Sequence, residues 1–265
     1  MSSDAVFEHR INLLDPLLFS TIESQSSIND RITWLALQRA TRRAQNGYAY
    51  LEIGSHLGGS IQPHMLDPKC RMIFSIDKRP FEQPDERGFT LLYEGNSTER
   101  MLQNLQSVDP NQMGKIACFD SAAKDVDAAL IEPSPDMCFI DAEHTNAAVV
   151  SDFEFCLEVC APNAVIFFHD DRIIYQALVE IGRILRKRKI PFVPLKLPGS
   201  NYAIALRNCP VCRDDTVLGL SIDGNRWLRE ERFKAFAKRH VPRRLWPAVR
   251  PIGAHLLGNR REVSK

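Results

Sequence analysis

Acidic residues follow four apolar, β-prone runs of the chain, near the points where those runs end. Glu52 lies near the end of the first run, Asp77 and Asp141 directly follow two others, and His169-Asp170-Asp171 follows the last. A carboxylate is costly to bury unless it is paired, hydrogen-bonded or bound to a metal. Each acid taken alone could cap a helix. Their recurrence at the same kind of position favours a shared ligand site.

A glycine-rich turn, Gly54-Ser55-His56-Leu57-Gly58-Gly59-Ser60, follows the first run. Glycine permits positive φ and close approach of the backbone to a ligand, and the start of a following helix offers free N–H groups. The spacing is G-x-x-x-G, which differs from the G-x-G-x-x-G of dinucleotide folds, and no G-K-[ST] of a Walker-type loop is present. A carboxylate such as Asp77 after the next run can accept hydrogen bonds from two ribose hydroxyls.

The elements that must position these residues alternate between strands and helices. We predict strands over 49–53, 71–76, 89–93, 115–119, 136–140 and 164–168, and a closing hairpin of 192–197 with 202–206. Helices are predicted over 27–45, with Ser27 as the cap, and over a segment ending near 66, 97–105, 146–159, 173–188 and 225–239. This alternation predicts a doubly wound, mainly parallel α/β sheet, in which ligands bind at the carboxyl ends of the strands.

Composition and charge limit the classes of protein. The 265 residues are 44% hydrophobic and 25% charged, which excludes a disordered chain, a collagen-like fibre and a coiled-coil rod. No run reaches the roughly 18 apolar residues of a membrane-spanning helix, and the first ten residues do not resemble a signal peptide. Seven scattered cysteines indicate reduced thiols, so we expect a cytoplasmic protein.

Three segments differ in character: an N-terminal helical segment (1–46), a central domain (47–207) and a basic C-terminal extension (208–265). Residues 226–265 carry a net charge of +9, whereas the first 225 carry −8. A basic tail can meet nucleic acid, anionic lipid or an acidic protein surface, or it can be a solvated helix. No nucleic-acid-reading module is recognisable. Aromatic residues within the tail suit docking onto the domain, peripheral membrane contact or a homodimer.

Residues 51–60 resemble the first motif of class I S-adenosylmethionine-dependent methyltransferases. Residues 139–145 (FIDAEHT) and 166–170 (IFFHD) resemble two further motifs of one branch, the small-molecule O-methyltransferases of the methyltransferase domain 24 type, related to catechol and macrolide-sugar O-methyltransferases. The resemblance covers about Tyr48 to Arg207. It implies a seven-stranded Rossmann-like sheet, S-adenosylmethionine as cofactor, and transfer of a methyl group to a hydroxyl of a small molecule or sugar.

The resemblance also implies roles for the cofactor site. Gly54 and Gly58 would line the methionine and ribose part, Glu52 would orient that end, and Asp77 would bind the ribose hydroxyls. The adenine contact would follow the third strand or the strand after it, so Asn96-Ser97 and Asp120-Ser121 are both candidates. Acceptor pockets would come from 1–46, 79–90 and 198–201. The implied cofactor-binding set is Glu52, Gly54, Ser55, Gly58, Ser60, Asp77, Asn96, Ser97, Asp120 and Asp141.

Metal-dependent relatives hold a divalent ion after the fourth and fifth strands. Asp141 matches the first of those positions, His169-Asp170 fall at the second, and Asp171 gives a register one residue later. Carboxylates at Asp141, Asp170 and Asp171 suit Mg²⁺, whereas His169 suits Mn²⁺, Fe²⁺ or Zn²⁺ better. The alternative is that Asp170 caps the next helix and His169 packs under the substrate.

His144 lies three residues after Asp141, where some relatives place a catalytic base. An imidazole titrates near neutral pH and can accept the proton of a hydroxyl during in-line methyl transfer. His169 is the alternative base. Two other functions remain open: a non-catalytic protein that binds partners through its basic tail, and an NAD(P)-dependent oxidoreductase. The missing G-x-G-x-x-G and the closing hairpin disfavour the oxidoreductase.

Overall fold

The computed structural model describes residues 3–240 of the chain. The strands are β1 (Tyr48–Ile53), β2 (Cys70–Ile76), β3 (Glu82–Pro84), β4 (Thr90–Leu92), β5 (Ile116–Phe119), β6 (Met137–Ile140), β7 (Val165–Phe168), β8 (Phe192–Leu197), β9 (Asn201–Leu206) and β10 (Ile222–Asp223). The α-helices are α1 (Ser3–Asn12), α2 (Ile28–Ala44), α3 (Gln62–Leu66), α4 (Thr98–Val108), α5 (Asn146–Val159), α6 (Tyr175–Lys187), α7 (Asp215–Leu220) and α8 (Gly224–His240).

Within the described residues, eight strands form one sheet in the order β10-β8-β9-β7-β6-β1-β2-β5. The pairs among β5, β2, β1, β6 and β7 are parallel, and β9, β8 and β10 continue the sheet through antiparallel pairs. The predicted doubly wound, Rossmann-like sheet with a closing hairpin is therefore confirmed. The eighth strand is the short β10, contributed by residues beyond the hairpin.

Helices cover both faces of the sheet, and the central strands β1, β6 and β7 are accordingly buried along their whole length. In β1, Tyr48 and Tyr50 belong to one buried cluster, whereas Ala49, Leu51 and Ile53 belong to the other. Successive side chains of a strand point to opposite faces, so one short run supplies both layers. Residues of α2, α3 and α4 join the first cluster, and residues of α5, α6 and α8 join the second.

The prediction of a third sheet strand over residues 89–93 is wrong. This segment contains β4, which pairs with β3 in a separate hairpin, and β5 takes the place beside β2. Parallel neighbours need a crossover of a dozen or more residues, usually with a helix. No helix lies between β2 and β4, whereas α4 lies between β2 and β5. Phe89 and Leu92 are accordingly exposed.

The described part of the C-terminal extension packs against the sheet. Strand β10 pairs with β8, and Trp227 of α8 is buried with its ring 5.7 Å from that of Tyr202. Phe236 on the same helix is exposed. The predictions for residues 241–265 lie outside the described residues. None of the helices between residues 3 and 240 combines the length and apolar character that crossing a membrane requires.

Candidate functional site

A cavity of about 530 Å³ opens at the carboxyl ends of β1, β2, β6 and β7. This is where an open α/β sheet places its ligands. Residues predicted from the sequence contribute much of its lining. They are Gly54, Ser55, Ser60, Asp77, Asn96, Asp141, His144, His169 and Asp170.

The turn after β1 rests directly on the end of β6. Gly54 has φ +96°, and its N–H donates to the carbonyl of Ile76 at 2.9 Å. A Cβ built at Gly54 would lie 2.3 Å from the carbonyl oxygen of Asp141. The glycine therefore lets two strand ends approach each other, which places the turn and Asp141 in one cavity.

Replacing Gly54 with Ala is expected to lower the free energy of unfolding by several kcal/mol, because a Cβ contact of 2.3 Å adds to an unfavourable φ. Gly88→Ala is the matched control, since Gly88 has φ +81° and nothing within 4 Å of the added Cβ. The control should cost only about 1–2 kcal/mol. Urea unfolding of both variants measures the difference, and equal losses would show that the contact is relieved without cost.

Asp77 joins the turn to the end of β2. Its Oδ2 accepts a hydrogen bond from the His56 N–H at 2.9 Å, and its Oδ1 accepts one from the Arg79 N–H at 2.8 Å. The residue is 5% exposed and lines the cavity. The carboxylate is thus oriented by backbone donors on both sides, at the place predicted for a ribose contact.

Glu52 does not line the cavity but lies buried beneath the turn. Its carboxyl accepts a hydrogen bond from the Tyr50 hydroxyl at 2.8 Å and another from the Ser60 hydroxyl. Burial raises the pKa of Glu52 to about 8, although both hydrogen bonds oppose that shift. Glu52 therefore holds the turn in place through Ser60 rather than facing a ligand directly.

Three other predicted cofactor residues also lie outside the cavity lining. Gly58 has φ +84°, and a Cβ built there would meet side chains of α4. Ser97 is the N-cap of α4, where its hydroxyl accepts the N–H of Arg100. Asp120 is half exposed after β5 and accepts a hydrogen bond from the Thr98 hydroxyl. Each of these three residues therefore packs against or hydrogen-bonds to neighbouring protein groups and does not face the cavity.

Two histidines and two carboxylates form a compact group at the other end of the cavity. Asp141 Oδ1 lies 3.3 Å from both His144 Nε2 and His169 Nδ1. Asp170 Oδ2 lies 3.4 Å from His144 Nε2 and 4.0 Å from His169 Nδ1. Burial opposes ionisation of Asp141, but the two histidines outweigh it and lower its pKa. Burial alone would lower the pKa of His144, but the neighbouring carboxylates of Asp141 and Asp170 outweigh it, so the net effect is a raised pKa.

Asp30 of α2 completes the surroundings of His169. Asp30 Oδ2 lies 3.6 Å from His169 Nε2, so both ring nitrogens of His169 face carboxylates. Burial lowers the pKa of His169, yet Asp141 and Asp30 raise it to about 11. The carboxylates on both sides therefore favour the protonated form of the imidazole, in which neither ring nitrogen can accept a proton. The sequence identified the helix cap Ser27 but contained no signal for this long-range contact.

The predicted metal set is not assembled. Asp171 is 1% exposed and pairs with Lys196 Nζ of β8 at 2.5 Å, and it does not line the cavity. The Asp141 oxygen is shared between two imidazoles instead of pointing into open space. Within residues 3–240, no group of three or more His, Cys, Asp or Glu side chains is placed to hold a metal ion. These side chains do not fit a metal centre, and we derive no step through one.

Two segments outside the sheet close the cavity. Residues of two segments that were predicted to form the acceptor pocket, 1–46 and 79–90, line the cavity. The third predicted segment, 198–201, contacts Asp30 instead. Glu86 of the β3–β4 connection donates its N–H to the carbonyl of His144 at 3.1 Å. The lining residues not singled out from the sequence are Glu23, Ser24, Gln25, Ser26, Trp34, His56, Leu57, Gly59, Gln83, Leu91 and Tyr93.

Comparison with protein families gives a match to the segment that contains the strand-end residues of the cavity. The family model described as a methyltransferase domain, of the domain 24 type, matches residues 51–170. No curated protein gives a significant match.

Solved structures with a similar fold include several O-methyltransferases. Apo CalS11, a TDP-rhamnose 3′-O-methyltransferase of calicheamicin biosynthesis, is 11% identical, with a TM-score of 0.51 over 76% of this chain and 93% of that chain. TomG from Streptomyces achromogenes, an O-methyltransferase of tomaymycin synthesis solved with S-adenosylmethionine, is 16% identical, with a TM-score of 0.48 over 77% and 94%. The family match covers the motifs predicted from the sequence, so residues 51–170 match a methyltransferase domain, and the chain has the Rossmann-like fold of these methyltransferase structures.

Proposed function

We propose that the protein transfers the methyl group of S-adenosylmethionine to a hydroxyl oxygen of a small polar molecule or sugar, with His144 as general base. One observation carries the proposal: a single cavity joins the glycine-rich turn and Asp77 to the His144–Asp141–Asp170 group. A cofactor held at the first end would present its methyl group towards the second.

The cofactor end has the features that S-adenosylmethionine requires. Asp77 would accept hydrogen bonds from the ribose hydroxyls, and the backbone from Gly54 to Ser60 would surround the methionine part. When bound, the cofactor supplies an electrophilic methyl group on a sulfonium, so the protein needs chiefly to position the reactants and remove a proton.

His144 is the histidine whose surroundings suit a base. Its Nε2 faces Asp141 and Asp170, and a neutral tautomer with the proton on Nε2 leaves Nδ1 as the acceptor. A carboxylate that holds one nitrogen orients the ring and stabilises the imidazolium formed after proton transfer. Both nitrogens of His169 face carboxylates, so its role is to carry positive charge between Asp30 and Asp141.

The acceptor region is polar. Glu23, Ser24, Gln25 and Ser26 line the cavity on the side of the N-terminal segment, and Trp34 adds an aromatic wall. Carboxylate, amide and hydroxyl groups at one wall suit an acceptor that carries several hydroxyls. A sugar or sugar-like molecule meets that description.

Neither competing function has an observation in its favour within residues 3–240. The G-x-x-x-G spacing of the turn and the position of His144 in the same cavity support the methyltransferase proposal instead. The binding-protein alternative depends on the basic extension 208–265, of which residues 241–265 lie outside the described residues.

Titration calorimetry with S-adenosylmethionine tests the cofactor part of the proposal. We expect micromolar binding by the wild type, at least tenfold weaker binding by Asp77→Asn, and no effect of a chelator, because a hydrogen bond to a charged group contributes about 1.5–3 kcal/mol. Asp127→Asn is the matched control, since Asp127 is exposed and only caps a short 3-10 helix. NADP⁺ should not bind. Failure of a folded sample to bind S-adenosylmethionine would contradict the proposal.

A further inference from the structure

Arg79 extends its side chain inward beside the cofactor end of the cavity. Its guanidinium donates to the carbonyl of His56 at 2.5 Å and to the hydroxyl of Thr98 at 3.1 Å, and its Nη1 lies 3.5 Å from Asp77 Oδ2. The side chain is only 8% exposed. A cation therefore lies against the acid that is expected to receive the ribose.

Both candidate adenine segments converge on this guanidinium. Nη1 lies 3.3 Å from Asn96 Oδ1, and Nε lies 3.4 Å from Asp120 Oδ1. Asn96 lines the cavity together with Asp77. The Arg79 guanidinium thus lies between the side-chain oxygens of Asp77, Asn96 and Asp120.

Arg79 has a short hydrogen bond to the carbonyl of His56, but its contacts with carboxylates are long. An arginine that is held tightly by a carboxylate uses two parallel N–H···O bonds. Here Asp77 and Asp120 each meet one nitrogen, at 3.5 and 3.4 Å. The backbone of Arg79 also has φ +52°, a conformation that costs a non-glycine residue about 1–2 kcal/mol. Other donors could therefore replace Arg79 at the side chains of Asp77, Asn96 and Asp120.

We propose that the Arg79 guanidinium lies where the adenosine half of S-adenosylmethionine binds, and that cofactor binding displaces it. This inference rests on the cofactor position given under the proposed function. Adenosine supplies donors for the acceptors of Arg79 that face the cavity. The ribose hydroxyls donate to Asp77, and the exocyclic amino group of adenine donates to Asn96 or Asp120.

Displacement of a side chain reduces apparent affinity by the fraction of molecules in which the site is open. Truncating Arg79 removes that competition. We therefore expect Arg79→Ala to bind S-adenosylhomocysteine and 5′-methylthioadenosine about three- to tenfold more tightly than the wild type. Both probes contain adenosine and neither has a net charge, so long-range repulsion by an arginine has little influence on them.

Arg100→Ala is the matched control for the lost charge. Arg100 is on α4, is exposed, and contacts the carbonyls of Glu94 and Gly95 rather than Asp77. The Arg100→Ala variant should bind both probes with the affinity of the wild type. Arg79→Met keeps an aliphatic side chain without hydrogen-bond donors and replaces Arg79→Ala if that variant does not fold. It should also bind both probes more tightly than the wild type. Circular dichroism and thermal unfolding check the fold of each variant.

Titration calorimetry of the full-length proteins measures the affinity of each variant for the two probes. Weaker or unchanged binding by a folded Arg79 variant would overturn this inference and leave the proposed function intact. Absence of binding by the wild type and every variant would overturn the cofactor position itself, and this inference with it. Tighter binding confined to the Arg79 variants would establish the displacement.

Discussion

His144→Asn is expected to reduce the rate of methyl transfer by about 10²–10⁴-fold, the usual contribution of a general base, while S-adenosylmethionine binding stays at the wild-type level. The amide preserves a donor towards Asp141 but cannot accept the proton of a hydroxyl. Formation of S-adenosylhomocysteine with an acceptor found by screening sugars and other hydroxyl compounds measures the rate. His9→Asn makes the same chemical change at an exposed position of α1 and should retain full activity.

The pH dependence gives this prediction a second readout. The base must be neutral to act, and the carboxylates raise the pKa of His144. Wild-type activity should therefore be present at high pH and be lost as the pH falls through that raised pKa. The residual activity of His144→Asn should lack this acid limb. If His144→Asn were as active as the wild type while His169→Asn was inactive, the base would be His169.

Arg42→Ala is expected to lower the free energy of unfolding by about 3–5 kcal/mol, because it leaves a buried carboxylate without its cation. Arg42 of α2 is 1% exposed, and its Nε donates to Asp67 Oδ1 at 3.0 Å. Asp67 is fully buried just after α3. The other guanidinium nitrogens of Arg42 pair with Asp4 and Glu8 of α1. One side chain therefore ties α1 and the end of α3 to α2.

The adjacent arginine provides the control for this loss. Arg43 is half exposed, donates to Asn12 Oδ1 and lies 3.8 Å from Asp214. An exposed pair contributes about 0–1 kcal/mol, so Arg43→Ala should be nearly neutral. Urea unfolding of both variants gives the comparison. Equal and small losses would mean that Asp67 is sufficiently stabilised by its other donors, the Lys69 N–H and the Tyr48 hydroxyl.

Local patterns in the sequence predicted the elements that depend on local physics. The Ser27 cap and the α5 boundaries agree with the structure because capping and periodicity are properties of a few neighbouring residues. The strand-end acids Asp77, Asp141 and Asp170 reach one cavity because parallel strands end at one edge of a sheet.

What the sequence could not show are pairings between distant side chains. Asp171 was a candidate metal ligand by its position beside Asp170, but it pairs with Lys196 on β8. An acidic residue such as Asp30 is common in the first turn of a helix, so the sequence does not indicate its contact with His169, about 140 residues later. Such contacts depend on how loops and helices cross the sheet, which no local period encodes.

The attachment of Asp30 sets the order in which the site can form during synthesis. Its Oδ1 accepts hydrogen bonds from the Ser200 N–H at 3.0 Å and from Asn201 Nδ2 at 2.7 Å. The turn at Gly54 and the carboxylate of Asp77 leave the ribosome long before these partners. Asp30 can therefore gain these partners beside His169 only once the closing hairpin has emerged, so this part of the site is completed last.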